Sequence, residues 1–306
     1  MHCRPDKVLA KGWVPDEPHW KNRAMSILVF GKTGQVAREL QTNANVIALG
    51  RDVADLTDLA ACSAAILDIT PDVVINAAAY TGVDAAESDR AQADLVNTQA
   101  PGVMARACAS IGIPLVHIST DYVFPGGGET PWRPEDGVGP LGVYGFTKLA
   151  GEEAVRRAGG VHVILRTSWV FSAHGNNFVK TMLRLSETKD ALNVVKDQIG
   201  GPTPADAIAA ACVVIADQLR ANPDKSGTYH FSGAPDSNWC AFSQEIFAQA
   251  KRDVAVTGIS TSDYPTPATR PLNSRLDCSS TTDQFGIVRP DWRAGLDKVL
   301  KDLGIP

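Results

Sequence analysis

The sequence predicts an α/β fold, a doubly wound parallel sheet with a smaller mixed α/β region. Short apolar runs alternate with longer amphipathic segments from Ser26 to about Phe171. This alternation is typical of strands buried on both faces of a parallel sheet and joined by helices. A turn with two glycines, Gly31 and Gly34, also links the first apolar run directly to the first amphipathic segment. Such a turn indicates a nucleotide-binding strand–loop–helix unit.

The individual elements follow from the period of the apolar residues. Short runs rich in Val, Ile and Leu predict strands at residues 27–30, 46–49, 73–75, 115–118 and 163–165. The longer amphipathic segments between them predict helices at residues 35–41, 59–67, 91–111 and 144–157.

The regular alternation ends near Phe171, where proline-containing turns become frequent at residues 202–204 and 265–267. We therefore expect a dinucleotide-binding Rossmann core at residues 25–170, with a return segment near 200–225. Residues 171–199 and 226–306 are expected to form a substrate-binding region that closes over the sheet. Residues 1–24 have no sustained periodicity and precede Met25, so they are expected to be an N-terminal extension rather than a functional module.

The overall composition excludes several functional classes. The chain has 306 residues, 44% of them hydrophobic and 21% charged, with a formal net charge of −5. This balance provides no basic surface for nucleic acid, and no apolar run is long enough to cross a membrane. The six cysteines are scattered without metal-ligand spacing, so reduced structural thiols and a cytoplasmic location are expected.

The loop after the first strand is the candidate cofactor site. Its spacing is Gly31-x-x-Gly34-x-x-Ala37, in which the small Ala37 permits close packing of helix on strand. Backbone amides at the start of the helix, around Gln35 and Val36, can bind a pyrophosphate. The alternative is a tight turn that needs glycine only for its conformation.

The end of the second strand carries the residues that distinguish NADP from NAD. Arg51 would pair with a 2′-phosphate, whereas an acidic residue such as the adjacent Asp52 would accept hydrogen bonds from ribose hydroxyls. Arg51 favours NADPH and leaves NADH open; its alternative role is a solvated surface charge. Asp55 and Leu56 could contact the adenine edge.

Two polar motifs supply candidate catalytic groups. Tyr144 and Lys148 are four residues apart on a predicted helix and therefore share a face. A neighbouring cation is expected to lower the pKa of the tyrosine, which would then exchange a proton with a carbonyl or alcohol oxygen. Thr120 follows the fourth strand and could donate a hydrogen bond to the same oxygen. Alone, each motif is also explained by chance or by loop capping.

Taken in order, these motifs resemble the extended short-chain dehydrogenase/reductase family. Within that family the resemblance narrows to the dTDP-4-dehydrorhamnose reductases and covers nearly everything from Met25 onward. The matching segments are residues 30–36, 76–81 with 83–84, 119–125, 143–145 with 147–152, 166–170, 175–178, 264–268 and 270–276.

The resemblance implies reduction of the C4 ketone of dTDP-4-dehydro-β-L-rhamnose by NADPH or NADH, the last step of dTDP-L-rhamnose synthesis. Tyr144 would donate the proton, Lys148 would bind the nicotinamide ribose, and Thr120 would orient the ketone. The implied cofactor contacts are Gly31, Gly34, Gln35, Val36, Arg51, Asp55, Leu56, Ala79, Tyr80, Thr81, Tyr144 and Lys148. The implied substrate contacts are Val83, Thr120, Asp121, Tyr122, Trp169, Arg270, Asn273 and Arg275.

Some members of the family dimerise around Mg²⁺ held by carboxylates. Glu39 falls at one such position, and Asp206 and Asp302 approximate others. Since scattered acids are usually solvated surface charges, the sequence commits neither to Mg²⁺ nor to a homodimer.

Two other functions stay open. Arg270, Asn273 and Arg275 could bind the diphosphate of any nucleotide-linked sugar, so reduction of another nucleotide-linked 4-ketosugar is one alternative. A noncatalytic NADP-binding regulatory subunit is the other, because a fold does not fix a function. The complete set of Tyr144, Lys148 and Thr120 favours an active enzyme.

Overall fold

The computed structural model describes residues 25–306, and the predicted extension at residues 1–24 lies outside this range. The strands are β1 Ile27–Phe30, β2 Val46–Leu49, β3 Val73–Asn76, β4 Leu115–Thr120, β5 His162–Thr167, β6 Val170–Phe171, β7 Ala191–Val195, β8 Ile199–Gly200, β9 Thr203–Pro204, β10 Gly227–His230, β11 Ser237–Asn238, β12 Ala255–Ile259 and β13 Asn273–Ser274. The α-helices are α1 Gln35–Asn43, α2 Arg51–Ala54, α3 Leu59–Ile69, α4 Val83–Ala86, α5 Arg90–Asp94, α6 Ala100–Ser110, α7 Val143–Arg157, α8 Phe178–Leu185, α9 Ala205–Ala221, α10 Trp239–Gln249, α11 Ser279–Phe285 and α12 Trp292–Asp302.

The central sheet is parallel, with strand order β10-β5-β4-β3-β1-β2. The order reverses between β1 and β3, so the crevice at the carboxyl ends of these strands is where a doubly wound fold binds its ligand. The glycine loop follows β1, and an alanine-rich turn at residues 77–79 follows β3, which places both at this crevice. The predicted α/β fold is confirmed.

Helices cover both faces of the sheet, and each face has its own apolar core. One core joins α1 and α9 to side chains such as Val29 and Val163, while the other joins α3 and α6 to side chains such as Leu28 and Ile164. Neighbouring residues of one strand thus enter opposite cores, as expected for strands buried on both faces. This explains why the strands of the sheet were readable as continuous apolar runs.

A third apolar core lies outside the sheet. It packs α8, α10 and α12 together around Phe171, Phe242 and Trp292. Three small sheets flank it, namely β12-β7, β6-β9 and the three-stranded β11-β8-β13. Residues 25–306 contain no helix that is both long and apolar enough to span a membrane.

Two elements differ from the predictions. The long predicted helix at residues 91–111 is interrupted, since α5 and α6 are joined by a π-helix at Leu95–Gln99. The spacing of the apolar residues does not indicate this π-helix. The sixth strand of the sheet, Gly227–His230, was not predicted, because its sequence Gly-Thr-Tyr-His lacks an apolar run.

The π-helix makes room for α7, and Gly151 marks the point of contact. A Cβ atom built at Gly151 would lie only 2.1 Å from the backbone oxygen of Asn97. The two backbones therefore approach more closely than any side chain permits. Since α7 carries Tyr144 and Lys148, this approach also fixes the depth at which the candidate catalytic helix lies against the protein.

We expect Gly151→Ala to lower the free energy of unfolding by about 1–3 kcal/mol, because the added methyl group meets backbone and overpacks the interface. In an unobstructed helix the same change would stabilise by about 1 kcal/mol, so the sign is diagnostic. Chemical denaturation measures it. Gly137→Ala is the control, because among residues 25–306 no atom outside Gly137 and its two chain neighbours lies within 4 Å of a Cβ built there. A variant at Gly151 as stable as the wild type would contradict the packing argument.

Candidate active site

Three consecutive residues at the end of β4 each attach to α7. Ile118 accepts a 2.7 Å hydrogen bond through its backbone oxygen from Nζ of Lys148, and the hydroxyl of Ser119 donates over 2.6 Å to Glu152. The hydroxyl of Thr120 interacts with the phenol of Tyr144 and acts to lower its pKa. Because Tyr144, Lys148 and Glu152 lie at four-residue spacing on one helix face, the strand end and the helix are joined along their length. The structure thus brings the three predicted catalytic residues together.

The pKa of Tyr144 differs from the expectation. Burial raises it to about 12, the hydrogen bond with Thr120 opposes the rise, and the charge of Asp121 adds to it. The expected lowering by Lys148 is therefore wrong, since the pKa of Tyr144 is raised and Lys148 is not among the causes of the shift. Burial also lowers the pKa of Lys148 to about 8, against the opposing charge of Glu152.

A buried ion pair lies behind these residues. Arg166, the β5 neighbour of Ser119 in the sheet, donates to both carboxylate oxygens of Glu152 at 2.9 and 2.7 Å. Arg156 adds a third guanidinium contact at 2.8 Å. Burial alone would raise the pKa of Glu152, but its hydrogen bonds to Arg166 and Ser119 and the charges of both arginines outweigh burial and lower it.

The loop after β1 has the geometry of an anion site. Gly31 adopts φ +115°, and a Cβ there would lie 3.3 Å from both Cβ of Ala37 and the backbone oxygen of Ala77. Gly34 is the N-cap of α1, and no side chain among residues 25–306 caps this helix. The first amides of α1, at Gln35 and Val36, are therefore available to a phosphate.

The end of β2 is lined by positive charge on two elements. Arg51 begins α2 and is exposed. The stem of Lys32 lies beside Gly50, since a Cβ built at Gly50 would be 3.2 Å from Cδ of this lysine. The carboxylate of Asp52 turns back over the same glycine, with Oδ1 2.3 Å from the built Cβ. Both an arginine and a lysine thus flank the position after β2.

The turn after β3 is held by a residue that the motifs did not identify. Asn97, in the π-helix, accepts from the backbone amide of Tyr80 at 2.8 Å and donates to its carbonyl at 3.0 Å. Its amide also donates to Thr147 of α7. Ala79 and Tyr80 are half-buried, and Thr81 is exposed. No signal in the sequence indicates this role, because Asn97 stands beside the polar residues Thr98 and Gln99.

The predicted adenine contacts lie at the outer end of the crevice. Asp55 accepts from both the amide and the hydroxyl of Thr57 at 2.9 Å, and these hydrogen bonds lower its pKa. Leu56 is buried against the core that contains Leu28. The carboxylate is therefore already engaged within its own turn.

The predicted substrate residues flank the end of β4. Asp121 is buried, and burial raises its pKa to about 6, although hydrogen bonds with Ser274 and Thr120 oppose the rise. Its Oδ2 atom has no hydrogen-bond partner within residues 25–306. The ring of Tyr122 contacts that of Tyr144 edge to face at 5.4 Å, and Val83 begins α4. A buried carboxylate oxygen without a partner in that part of the chain, next to the hydroxyl of Thr120, is available to accept a hydrogen bond from a ligand.

The chain is similar in sequence to a known family of enzymes. A family model described as the RmlD substrate binding domain matches residues 25–305. A dTDP-4-dehydrorhamnose reductase of Sinorhizobium fredii is 44% identical over 278 residues, which make up 88% of this chain and 94% of that protein. The chain belongs to the dTDP-4-dehydrorhamnose reductase family.

Solved structures agree with this membership. A dTDP-4-dehydrorhamnose reductase from Clostridium acetobutylicum superposes with a TM-score of 0.86 at 36% identity, covering 92% of this chain and 100% of that one. A second, from Bacillus anthracis in complex with NADP, gives a TM-score of 0.85 at 31% identity with the same coverage. Both structures are at least 31% identical to this chain in sequence, so the likeness extends beyond the fold.

All three predicted diphosphate ligands have partners of their own in this family member. The amide of Asn273 donates to the backbone oxygens of Gly127 and Thr130, while its oxygen accepts from Nε of Arg275 at 2.9 Å. Asn273 thus ties the loop after β4 to β13. Arg270 forms a 2.6 Å ion pair with Asp84, but its Nη1 is buried without a partner in the described part of the chain.

The acidic residues considered for Mg²⁺ are also engaged. Asp206 pairs with Lys298 at 2.6 Å, and Glu39 lies 3.5 Å from the ring of His174. Burial and the charge of Asp206 raise the pKa of Glu39. Across residues 25–306, no group of three or more His, Cys, Asp or Glu side chains is arranged to hold a metal ion.

We expect Glu152→Gln to lower the free energy of unfolding at pH 7 by about 3–5 kcal/mol, because it leaves the buried guanidinium of Arg166 without a counter-charge. Chemical denaturation provides the measurement. Glu153→Gln is the matched control, since this neighbouring glutamate is exposed and forms only a 3.7 Å surface pair with Arg157. Equal losses for the two variants would contradict a special role for the buried pair.

The same pair predicts a pH dependence. The folded-state pKa of Glu152 is lowered, so its contribution is fully present above its unfolded pKa near 4.5 and is lost as the pH falls through the lower folded value. The difference in free energy of unfolding between wild type and Glu152→Gln should therefore be constant from about pH 5 to about pH 7. It should shrink below about pH 4.5, where the unfolded chain takes up the proton. Denaturation midpoints across this range test the sign, and a difference that grows on acidification would refute it.

Proposed function

We propose that the protein reduces the C4 ketone of dTDP-4-dehydro-β-L-rhamnose to dTDP-β-L-rhamnose, with NADPH as the hydride donor and Tyr144 as the proton donor. The protein is an NAD(P)-dependent oxidoreductase of the dTDP-4-dehydrorhamnose reductase family, whose reaction is the final step of dTDP-L-rhamnose synthesis. The observation that carries the residue assignment is the joint attachment of Thr120, Tyr144 and Lys148 at the carboxyl end of β4.

The residues of the crevice fit a dinucleotide. The uncapped start of α1 suits the pyrophosphate, and Gly31 leaves no space for a side chain between loop and sheet. Arg51 and Lys32 would hold a 2′-phosphate, which supports NADPH. The alanine turn after β3 permits close approach of the cofactor, and Lys148 would bind the nicotinamide ribose. When bound, the cofactor supplies the hydride.

The electrostatics of Tyr144 suit a general acid. With a pKa near 12, the phenol is fully protonated at neutral pH and holds the proton that the reduced C4 oxygen needs. The hydroxyl of Thr120 would fix that oxygen beside the phenol, because it already contacts Tyr144. The ammonium of Lys148 would stabilise the phenolate left after proton transfer.

The substrate side supports a polyhydroxylated ligand. The unpaired Oδ2 of Asp121 can accept a hydrogen bond from a sugar hydroxyl. The rings of Tyr122 and Trp169 offer apolar faces that suit a deoxysugar. Arg270, with a buried and unpaired Nη1, would meet the diphosphate together with Arg275.

We expect Tyr144→Phe to reduce kcat by about 10²- to 10⁴-fold, the usual contribution of a positioned general acid. Oxidation of NADPH by enzymatically generated dTDP-4-dehydrorhamnose, with the product identified by its mass and stereochemistry, measures the effect. Tyr229→Phe is the control, because this tyrosine lies in β10 and its hydroxyl contacts the backbone of Lys225. Unchanged turnover in the Tyr144 variant would refute the assigned role.

We expect Arg51→Ser to lower kcat/KM for NADPH by about tenfold or more relative to NADH, since a hydrogen-bonded charge pair with phosphate is lost. The ratio of the two cofactors' kcat/KM values is the readout. Arg157→Ser, which removes an exposed arginine at the end of α7, serves as the control. An unaltered ratio in the Arg51 variant would assign cofactor preference to other residues.

A further inference from the structure

Trp169 has a strained backbone. Its φ of +49° falls in the left-handed region, which a bulky side chain rarely adopts. The residue lies just past Thr167, and Thr167 pairs with Thr120 in the sheet. Backbone strain of this kind persists only where the surroundings hold it, and it concentrates at functional sites. The residues that hold the Trp169 backbone in this conformation are therefore candidates for a functional role.

The principal neighbour of Trp169 is Trp239, the first residue of α10. The two indoles stack with ring centroids 3.6 Å apart and an interplanar angle of 13°. Trp239 is itself fixed, since its Nε1 donates a 3.0 Å hydrogen bond to Gln198 and its other contacts include the ring of Phe178 at 4.6 Å. Trp239 thus covers one face of the Trp169 indole and cannot turn without losing a hydrogen bond.

The three-stranded sheet β11-β8-β13 confines the same indole from another side. A Cβ atom built at Gly200 of β8 would lie 2.8 Å from Cε2 of Trp169 and 3.1 Å from Cβ of Ser274 in β13. Ser274 in turn interacts with Asp121, the residue after Thr120, and acts to lower its pKa. The indole therefore lies within a few ångströms of a side chain that contacts the catalytic loop.

We infer that Trp239 is a positioning residue for the reduction: it holds Trp169 in one orientation, so that the sugar ring is presented with C4 toward Tyr144. This inference rests on the proposed function, in which Trp169 lines the sugar pocket. Gln198 acts one step further back by fixing Trp239. Neither Trp239 nor Gln198 was among the residues that the sequence motifs identified.

The decisive variants are Trp239→Ala and Trp239→Phe. We expect Trp239→Ala to lower kcat/KM for the nucleotide ketosugar by about 10- to 100-fold, because a freed Trp169 no longer orients the reacting carbon. NADPH binding, followed by its fluorescence, and binding of dTDP, which lacks the sugar, should stay close to wild type. Trp239→Phe retains a stacking ring and should recover activity to within about threefold of wild type.

The control is Trp292→Phe. Trp292 belongs to the same apolar core and contacts Phe242 edge to face, so its loss should lower stability without a selective effect on the ketosugar. If Trp239→Ala does not fold, Gln198→Met decides instead, because it keeps Trp239 and removes the acceptor of its indole, together with one hydrogen bond to Thr261; we expect a smaller decrease in kcat/KM of the same selectivity.

The outcomes separate the two proposals. A wild-type protein that binds NADPH but does not reduce dTDP-4-dehydrorhamnose would overturn the proposed function itself. An active wild type whose folded Trp239→Ala variant keeps its kcat/KM, or loses it only in parallel with thermal stability as Trp292→Phe does, would overturn the positioning role alone. If Gln198→Met has to decide, an unchanged kcat/KM in that variant would do the same.

Discussion

The carboxylate of Glu152 is bonded to three elements at once, since it accepts from Ser119 on β4, from Arg166 on β5 and from Arg156 one turn further along α7. A buried carboxylate without such partners would be neutral or would not be tolerated. Here it is charged, and it fixes α7 against the carboxyl ends of two strands. The distance between Thr120 on the strand and Tyr144 on the helix depends on this attachment.

Burial is the main cause of the pKa shifts of Tyr144, Asp121 and Lys148. Burial raises the pKa of Tyr144 to about 12 and that of Asp121 to about 6, and it lowers the pKa of Lys148 to about 8. Between about pH 6 and about pH 8 the phenol of Tyr144 is protonated, the ammonium of Lys148 donates to a backbone carbonyl, and Asp121 has a carboxylate oxygen without a partner among residues 25–306. The protonated phenol is the form that the proposed general acid needs, because an acid must hold the proton that it will donate.

The sequence predicted the parts of the molecule that depend on local patterns. The buried strands, the glycine loop and the Tyr144–Lys148 pair follow from periodicity and spacing, and the structure joins them as expected. The sequence did not predict β10, because this strand is held by pairing with β5 and has no apolar run. Asn97, Glu152 and Trp239 were also missed, since their roles consist of contacts with residues distant in the chain, which no local pattern records.

Two consecutive residues join the halves of the site. Thr120 contacts Tyr144 on the side of the parallel sheet, where the cofactor crevice lies, whereas Asp121 contacts Ser274 on the small sheet that confines Trp169. A displacement of either half therefore reaches the other through a single peptide unit. Hydride transfer requires the nicotinamide and C4 of the sugar to be aligned at the same time, and these two consecutive residues lie where the two ligands are proposed to meet.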